Sequence, residues 1–210
     1  MIRVMLVDDH ELVRTGVRRL LSDYKDIEVV AEASSGEQAV TMVDQHRPDV
    51  VLMDVNMPGM GGVEATRKVI KAAPESRVLA VTVHGTQPYP SRLLEAGAMG
   101  YITKECDSAE IADAIRTVAK GRHYFSDQVA REVALNVAAE SKSPFDNLSQ
   151  REWQIMTMIC KGEKIQDISD SLCLSPKTVS TYRYRLMEKL KVRSDVELTH
   201  LALRYGVIET

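Results

Sequence analysis

The chain has 210 residues, which is enough for one large domain or two small ones. Its 44% apolar and 27% charged residues are those of a soluble globular protein, and no apolar run reaches the roughly 18 residues that a transmembrane helix requires. The net charge of −3 excludes a bulk attraction to nucleic acid. However, residues 1–120 carry 14 basic and 18 acidic side chains, a net charge of −4, whereas residues 148–210 carry 10 and 8, a net charge of +2. We therefore expect the two parts to have different partners.

The three cysteines, Cys106, Cys160 and Cys173, are far apart and lack the spacing of a metal site. An odd number of cysteines without a pattern fits a reducing compartment, and the N-terminus has no signal-peptide pattern. The sequence therefore predicts a cytoplasmic protein without a membrane partner.

Strands and helices are predicted to alternate five times along residues 1–120. Apolar runs predict strands at Ile2–Val7, Ile27–Ala33, 50–54, 78–82 and 100–104. Amphipathic segments predict helices at Glu11–Leu21, 35–46, Val63–Ala72, 92–96 and Ser108–Ala119. In the first helix, the residues expected to form one buried stripe are Leu12, Val13, Val17, Leu20 and Leu21. The alternation predicts a doubly wound, five-stranded parallel sheet.

Chemically active side chains close four of these strands. The groups at the carboxyl ends of strands one, three, four and five are, in that order, Asp8 with Asp9, Asp54, Thr82, and Lys104. Because the carboxyl ends of parallel strands lie along one edge of a sheet, we expect these groups to form one pocket. Carboxylates suit Mg²⁺, and an aspartate can act as a nucleophile that forms an aspartyl phosphate. Taken alone, Asp54 is equally compatible with capping the next element.

This arrangement resembles the receiver domain of two-component response regulators over residues 1–120. The matching motifs are Asp8-Asp9, Asp54 with Met57-Pro58-Gly59 behind it, Thr82, and Tyr101-x-x-Lys104. The resemblance implies a flavodoxin-like fold and phosphorylation at Asp54. It implies Mg²⁺ bound by Asp8, Asp9, Asp54 and the backbone carbonyl of Asn56. It also implies that Lys104 pairs with the phosphoryl group and that Thr82 and Tyr101 form the switch pair.

Two positions beside the predicted pocket bear on the lifetime of the phosphoryl group. In the receiver family, the residues at Asn56 and His84 flank that group. Val83 is bulkier than the small residue often found at its position in the family. We therefore expect restricted access for water and a long-lived phosphorylated form.

Residues 121–147 are predicted to be a linker that contains one helix. The helix, Asp127–Ala139, has valines at spacings of four residues, and the segment 138–144 then becomes small and polar. Beyond the linker, the motifs that mark helix starts are Ser149-x-x-Glu152, Ser175-Pro176 and Ser194-x-x-Glu197. Short helices joined by a tight turn predict an all-α helix-turn-helix domain over residues 148–210.

The helix that begins at Pro176 is the predicted DNA-reading element. Residues 177–193 hold six basic side chains against one acid, Glu188. At about 100° per residue, the side chains expected to face the core are Val179, Tyr182, Leu186 and Leu190. Those expected at the DNA are Lys177, Thr178, Ser180, Thr181, Arg183, Tyr184, Arg185 and Lys189. Taken alone, such a face is equally compatible with an ordinary solvated helix.

The second domain resembles the LuxR-type helix-turn-helix. The matching residues are Leu148-Ser149-x-Arg151-Glu152, Ile168-Ser169, Leu174-Ser175-Pro176-Lys177-Thr178-Val179 and Leu186-x-x-Lys189-Leu190. Both domains together resemble the NarL/FixJ class of response regulators. The resemblance implies a sensor histidine kinase of the hybrid type, double-stranded promoter DNA, and activation of small regulatory RNA genes. It also implies that Val179 lies at or near the DNA. It further implies a homodimer on phosphorylation, with contacts from Val196, Leu201 and Tyr205.

Two other functions are compatible with parts of the sequence. One is an aspartyl-phosphate phosphatase or phosphotransferase enzyme, but the haloacid dehalogenase type needs a second acid where Asn56 stands. The other is a small-ligand sensor, since many proteins with this DNA-binding domain bind acyl-lactones. Three acids and a lysine would make a poor pocket for an apolar ligand. The regulator remains the favoured hypothesis, without enzymatic turnover beyond its own phosphoryl transfer and dephosphorylation.

Overall fold

The computed structural model describes residues 1–82, 89–126, 144–172, 174–205 and 207–208, which divide into two compact units. The first unit holds the described residues up to 126, and the second holds those from 144 onward. The expectations for Val83, His84 and the helix over 127–139 lie outside the described residues. Among the residues that are described, no helix is both long and apolar enough to span a bilayer.

The first unit is built on one parallel sheet. Its strands are β1 (Ile2–Val7), β2 (Ile27–Ala33), β3 (Val50–Asp54), β4 (Arg77–Thr82), β5 (Gly100–Thr103) and β6 (Tyr124–Phe125). They lie in the order β2-β1-β3-β4-β5-β6, and all neighbours are parallel. This is the doubly wound, flavodoxin-like order, so the predicted fold class is confirmed.

The prediction of five strands is wrong, because β6 adds a sixth. Gly121 turns the chain with φ at +74°, and the Tyr124 amide then donates to the Met99 carbonyl oxygen at 3.0 Å. A strand of two residues carries no alternation that a sequence pattern could reveal. Since β6 falls within the predicted linker at 121–147, the sheet extends beyond the boundary expected at residue 120.

Helices cover both faces of the sheet. They are α1 (Glu11–Leu21), α2 (Gly36–His46), α3 (Gly61–Ala72), α4 (Tyr89–Glu95) and α5 (Ser108–Ala119). Along β1, Leu6 packs into one buried cluster with residues of α5, while Met5 and Val7 pack into another with residues of α2 and α3. This alternation confirms that the central strands are buried on both faces.

The apolar stripe predicted for α1 is wrong at Leu12, which is 85% exposed. Val17 follows Leu12 by five positions, so the Leu12 side chain lies about 140° around the helix from that of Val17 and faces away from the sheet. Leu20 is also exposed, whereas Leu21 is buried.

All regular elements among the described residues of the second unit are helices. Its elements are a short 3₁₀ helix (Pro144–Asn147), α6 (Gln150–Cys160), α7 (Ile165–Ser171), α8 (Pro176–Leu190) and α9 (Asp195–Arg204). The predicted caps form, since the side chains of Ser149, Ser175 and Ser194 each accept a hydrogen bond from the backbone amide three residues on. Trp153 and Phe145 meet edge to face, with ring centroids 5.8 Å apart, in the buried core. Helices α7 and α8 form the predicted helix-turn-helix.

Candidate functional site

Three aspartates converge at the carboxyl edge of the sheet, as the sequence predicted. Register explains the convergence, because Val7 of β1 pairs with Met53 of β3 and places the next residues, Asp8 and Asp54, side by side. The Asp54 side chain is only 2% exposed and that of Asp8 only 9%. Oxygens of Asp8, Asp9 and Asp54, together with a ring nitrogen of His10, all lie within 4.8 Å of one another.

Lys104 bridges two of these acids from the end of β5. Its Nζ donates to Asp8 Oδ2 at 2.6 Å and to Asp54 Oδ2 at 3.0 Å. Burial raises the pKa of Asp54, and the opposing attraction of Lys104 does not fully offset it. Burial lowers the pKa of Lys104, but its two acidic partners outweigh burial and raise that pKa overall. One ammonium thus faces three carboxylates, and the cluster keeps an excess of negative charge.

The remaining oxygens of the cluster fit a hard divalent cation. Asp9 Oδ1 is buried and has no hydrogen-bond partner among the described residues, although His10 Nδ1 lies 3.1 Å away, and a bound cation would satisfy this oxygen. Carboxylate oxygens at one point are the ligands that Mg²⁺ prefers. Asp54 Oδ1 accepts a hydrogen bond from the Asn56 amide at 3.1 Å, which folds the chain after β3 back toward the cluster.

Glu37, at the start of α2, holds the loop that follows Asp54. Its Oε1 accepts a hydrogen bond from the Met60 amide at 2.8 Å. The same oxygen would lie 2.8 Å from a Cβ at Gly59, where φ is +73°. At the start of α3, a Cβ at Gly62 would overlap the carbonyl oxygen of Asp54. Sequence reasoning missed Glu37, because nothing in its surroundings marks a residue of α2 as a partner of this loop.

The predicted switch residues, Thr82 and Tyr101, lie on adjacent strands and are both only 1% exposed. In the register of β4 and β5, Tyr101 pairs with Ala80. Because side chains two residues apart share a face, Thr82 and Tyr101 point to the same side of the sheet. Tyr101 belongs there to a buried cluster with Leu93 and Ala96, close to α4.

Most of the predicted DNA-contacting side chains lie on the surface of α8. The exposed members are Lys177, Ser180, Thr181, Tyr184, Arg185 and Lys189, and Thr178 and Arg183 are half-buried. Tyr184 is 70% exposed, which is high for an aromatic residue. Val179 is completely buried, near Leu186 and Leu190, which confirms its predicted place on the core stripe and corrects the DNA contact that the family resemblance implied for it. The 100° turn per residue places position 179 on the core stripe instead.

Two predicted phosphate contacts are engaged by acids from other helices. Arg183 makes a bidentate pair with Asp195 of α9, at 2.9 and 3.0 Å. Lys189 Nζ donates to Glu152 Oε2 at 2.7 Å and to the Asn147 carbonyl at 3.2 Å. Burial raises the pKa of Glu152, but hydrogen bonds from Lys189 and Ser149 outweigh it and hold the pKa below its usual value. No ion pair involves Lys177 or Arg185 within the described part of the second unit.

Two protein families match the chain, one for each unit. The response regulator receiver domain family matches residues 4–116, which include every residue of the acidic cluster. The family of bacterial regulatory proteins of the luxR type matches residues 146–202, which include α8.

Curated relatives match over the whole length. The response regulator GacA of Pseudomonas viridiflava is 54% identical over 211 residues, covering 100% of this chain and 99% of that protein. The response regulator UvrY of Escherichia coli K12 is 51% identical over 209 residues, covering 99% and 96%.

Solved structures are also similar. A LuxR family two-component response regulator from Aurantimonas sp. SI85-9A1 is 40% identical, with a TM-score of 0.63, over 66% of this chain and 99% of that one. RcsB of Salmonella enterica serovar Typhimurium, bound to the rprA promoter with the phosphomimetic BeF₃⁻, has a TM-score of 0.67 over 95% and 97%. Its identity of 21% supports the fold alone.

Proposed function

Because this chain belongs to the response regulators that carry a LuxR-type DNA-binding domain, we propose that phosphorylation of Asp54 controls its binding to promoter DNA. The observation that carries the proposal is the buried Asp54 carboxylate, paired with Lys104 and surrounded by two further aspartates. Membership of this family supports a transcriptional regulator of a two-component system, and it does not support the alternative of an aspartyl-phosphate enzyme.

In the proposed reaction, a carboxylate oxygen of Asp54 attacks the phosphorus of a phosphohistidine on a sensor kinase. A P–O bond forms, the P–N bond breaks, and the histidine nitrogen recovers a proton from solvent. Lys104 lies 3.0 Å from Asp54 Oδ2, where its ammonium would offset the charge of the incoming group. Mg²⁺, held by Asp8, Asp9, Asp54 and the Asn56 carbonyl, would supply further positive charge beside that group.

The new phosphoryl group would compete for Lys104, which now bridges Asp8 and Asp54. We propose that Thr82 moves toward the group and that Tyr101 shifts with it. The two residues face the same side of the sheet on adjacent strands, which supports a coupled movement. Such a change would bias the receiver between two states.

In the second unit, α8 would enter the major groove with its first half. Its exposed polar residues Ser180, Thr181 and Tyr184, with Thr178 beside them, are suited to base edges. Lys177 and Arg185 are exposed cations without an ion-pair partner in the described second unit, and they are suited to phosphates.

Further parts of the proposal follow from the resemblance to the NarL/FixJ class. We propose a sensor histidine kinase of the hybrid type as the donor and small regulatory RNA genes as targets. A structure of two RcsB dimers on DNA supports a homodimer as the binding form, and Val196 and Tyr205 of the second unit are exposed. We place the protein in the cytoplasm. We assign residues 148–210 to DNA binding and extend the receiver past 120 to include β6.

The test compares wild type, Asp54→Asn and the matched control Asp44→Asn, which alters an exposed aspartate of α2. Each protein is incubated with Mg²⁺ with or without a phosphodonor, and its affinity for promoter DNA is measured at constant salt. We expect the phosphodonor to raise the affinity of wild type and of the control, and to have no effect on Asp54→Asn. Equal affinity of wild type with and without donor would contradict the coupling. Circular dichroism checks that each variant is folded.

A further inference from the structure

His10 lies beside the acidic cluster, and neither the family resemblance nor the predicted magnesium site gave it a role. It directly follows Asp9 and is the residue before the first turn of α1. Its Nδ1 lies 3.1 Å from Asp9 Oδ1 and 3.3 Å from Asp8 Oδ1. Its backbone amide donates to the same Asp8 oxygen at 2.8 Å, which fixes the ring near the cluster.

These spacings match those of neighbouring ligands on one metal ion. With metal–ligand distances of about 2.1 Å, adjacent corners of an octahedron are about 3.0 Å apart. Nδ1 has such distances to two carboxylate oxygens, and one of them, Asp9 Oδ1, is buried without a hydrogen-bond partner in the described chain. Lys104 donates to the other carboxylate oxygen of Asp8, Oδ2. The Oδ1 side of that carboxylate, which His10 Nδ1 approaches, is therefore the side away from the ammonium.

We propose that His10 Nδ1 is a ligand of the metal bound at the acidic cluster and shifts its preference from Mg²⁺ toward Mn²⁺ and other transition metals. This inference rests on the proposed function, because it assumes that the cluster of Asp8, Asp9 and Asp54 binds a divalent cation. An all-oxygen set suits Mg²⁺, whereas an imidazole nitrogen is a ligand that transition metals accept more readily. Neutral imidazole adds no charge, so it changes selectivity without weakening the attraction to cations.

The geometry supports a ligand rather than a purely structural side chain. The His10 ring is 65% exposed, so little burial would be gained by holding it against two carboxylates. Nδ1 is within hydrogen-bond distance of Asp8 Oδ1, at 3.3 Å, and within ion-pair distance of Asp9 Oδ1, at 3.1 Å. A divalent cation bound by both carboxylates would replace the Nδ1 proton, so that the nitrogen and the two oxygens face one ion. Within the described ranges, this is the one group of three or more acidic, histidine or cysteine side chains arranged to hold a metal.

The experiment measures Mn²⁺ and Mg²⁺ affinities of the full chain, using the signal of free Mn²⁺ in electron paramagnetic resonance and Mg²⁺ as a competitor. The variant is His10→Gln, which replaces the nitrogen by a hard amide oxygen. His200→Gln, at an exposed histidine of α9, is the control. We expect His10→Gln to lower the preference for Mn²⁺ over Mg²⁺ about tenfold, which is the low end of the losses in affinity that follow the removal of a group at a metal site. The control should match wild type.

A second readout tests coordination directly. In electron spin echo modulation, the Mn²⁺ complex of wild type should show coupling to a directly bound ¹⁴N nucleus, and His10→Gln should lack it. An unchanged metal preference, or the same ¹⁴N coupling in both proteins, would overturn the role of His10 while leaving the magnesium site intact. If wild type bound neither cation, or if Asp54→Asn bound both as tightly as wild type, the proposed metal site itself would fail.

Discussion

Charged side chains are arranged in opposite ways in the two units. At the edge of the sheet, Asp8, Asp54 and Lys104 are largely buried and contact one another, so the ammonium is shared by acids that compete for it. On α8, the cations lie at the surface, and some are held by acids of neighbouring helices while others are not. An added phosphoryl group would therefore change the pairing of charges at the first site, whereas the α8 cations form a charged surface that needs no such change.

Ion pairs therefore have different roles in the two units. The Lys104 pairs lie at the proposed phosphorylation site, where a phosphoryl group on Asp54 would become a new partner of Lys104. The pair between Lys189 and Glu152 instead ties α8 to α6, and it removes a cation from the set available to DNA. Removing Lys104 should therefore affect both the function and the stability of the receiver, while removing Glu152 should mainly affect the stability of the helical unit.

The largest effect on stability is expected from Lys104→Gln. The variant leaves Asp8 and Asp54 adjacent and without their shared cation, so we expect unfolding to become easier by about 3 kcal/mol at pH 7, the low end for a broken buried pair. Burial raises the folded-state pKa of Asp54, which means that its ionised form opposes folding more strongly as pH rises. The deficit should shrink as pH falls and the carboxyls take up protons.

Urea unfolding of the full chain in EDTA, followed at several pH values by circular dichroism, measures this difference. Lys71→Gln, at an exposed position of α3, is the control. Added Mg²⁺ should recover part of the lost stability, because a divalent cation replaces the missing positive charge. A variant as stable as wild type at pH 7 would show that the acids do not depend on Lys104.

A smaller effect is expected from Glu152→Gln in the helical unit. Its carboxylate is 4% exposed and bonds both Lys189 and the Ser149 amide, so the loss should be about 2 kcal/mol at pH 7, as for hydrogen bonds to a charged group. The pKa of Glu152 is lower in the folded state than in the unfolded chain. Its carboxylate therefore contributes fully to stability at pH values above the ordinary pKa of glutamate, and this contribution disappears as the pH falls through the lowered, folded-state pKa. Unfolding at pH 7 and in acid measures the difference.

Glu163→Gln changes a glutamate after α6 that forms no ion pair within the described part of the chain, and it is the control for this prediction. A loss of stability that persisted unchanged in acid would contradict an electrostatic origin.

The sequence predicted the acidic site better than the DNA surface, for a physical reason. Strand ends fix the position of Asp8, Asp54 and Lys104, since all parallel strands deliver their next residue to the same edge. Nothing comparable fixes which cations of α8 are free, because the partner of Arg183 is 12 residues away and that of Lys189 is 37. The two-residue strand β6 was missed because it is shorter than any periodic pattern.

The smallest effects distinguish Lys177 from Lys189 on α8. Lys177 is exposed and has no ion pair in the described second unit, so we propose that it contacts a phosphate. In Lys177→Met, the slope of log affinity against log salt should fall by about 0.9, the value for one lost phosphate contact, with stability unchanged. Filter binding of the phosphorylated protein to promoter DNA at several salt concentrations gives the slope.

Lys189→Met is the matched comparison, because the same side chain is lost from the same helix. Lys189 is 42% exposed but its Nζ is held by Glu152, so we expect a loss of stability of about 1 kcal/mol and little change in the salt slope. If Lys189→Met lowered the slope as much as Lys177→Met, Lys189 would leave Glu152 when DNA binds. The original prediction of a phosphate contact at Lys189 would then stand, and Glu152 would be the group that holds this cation until DNA competes for it.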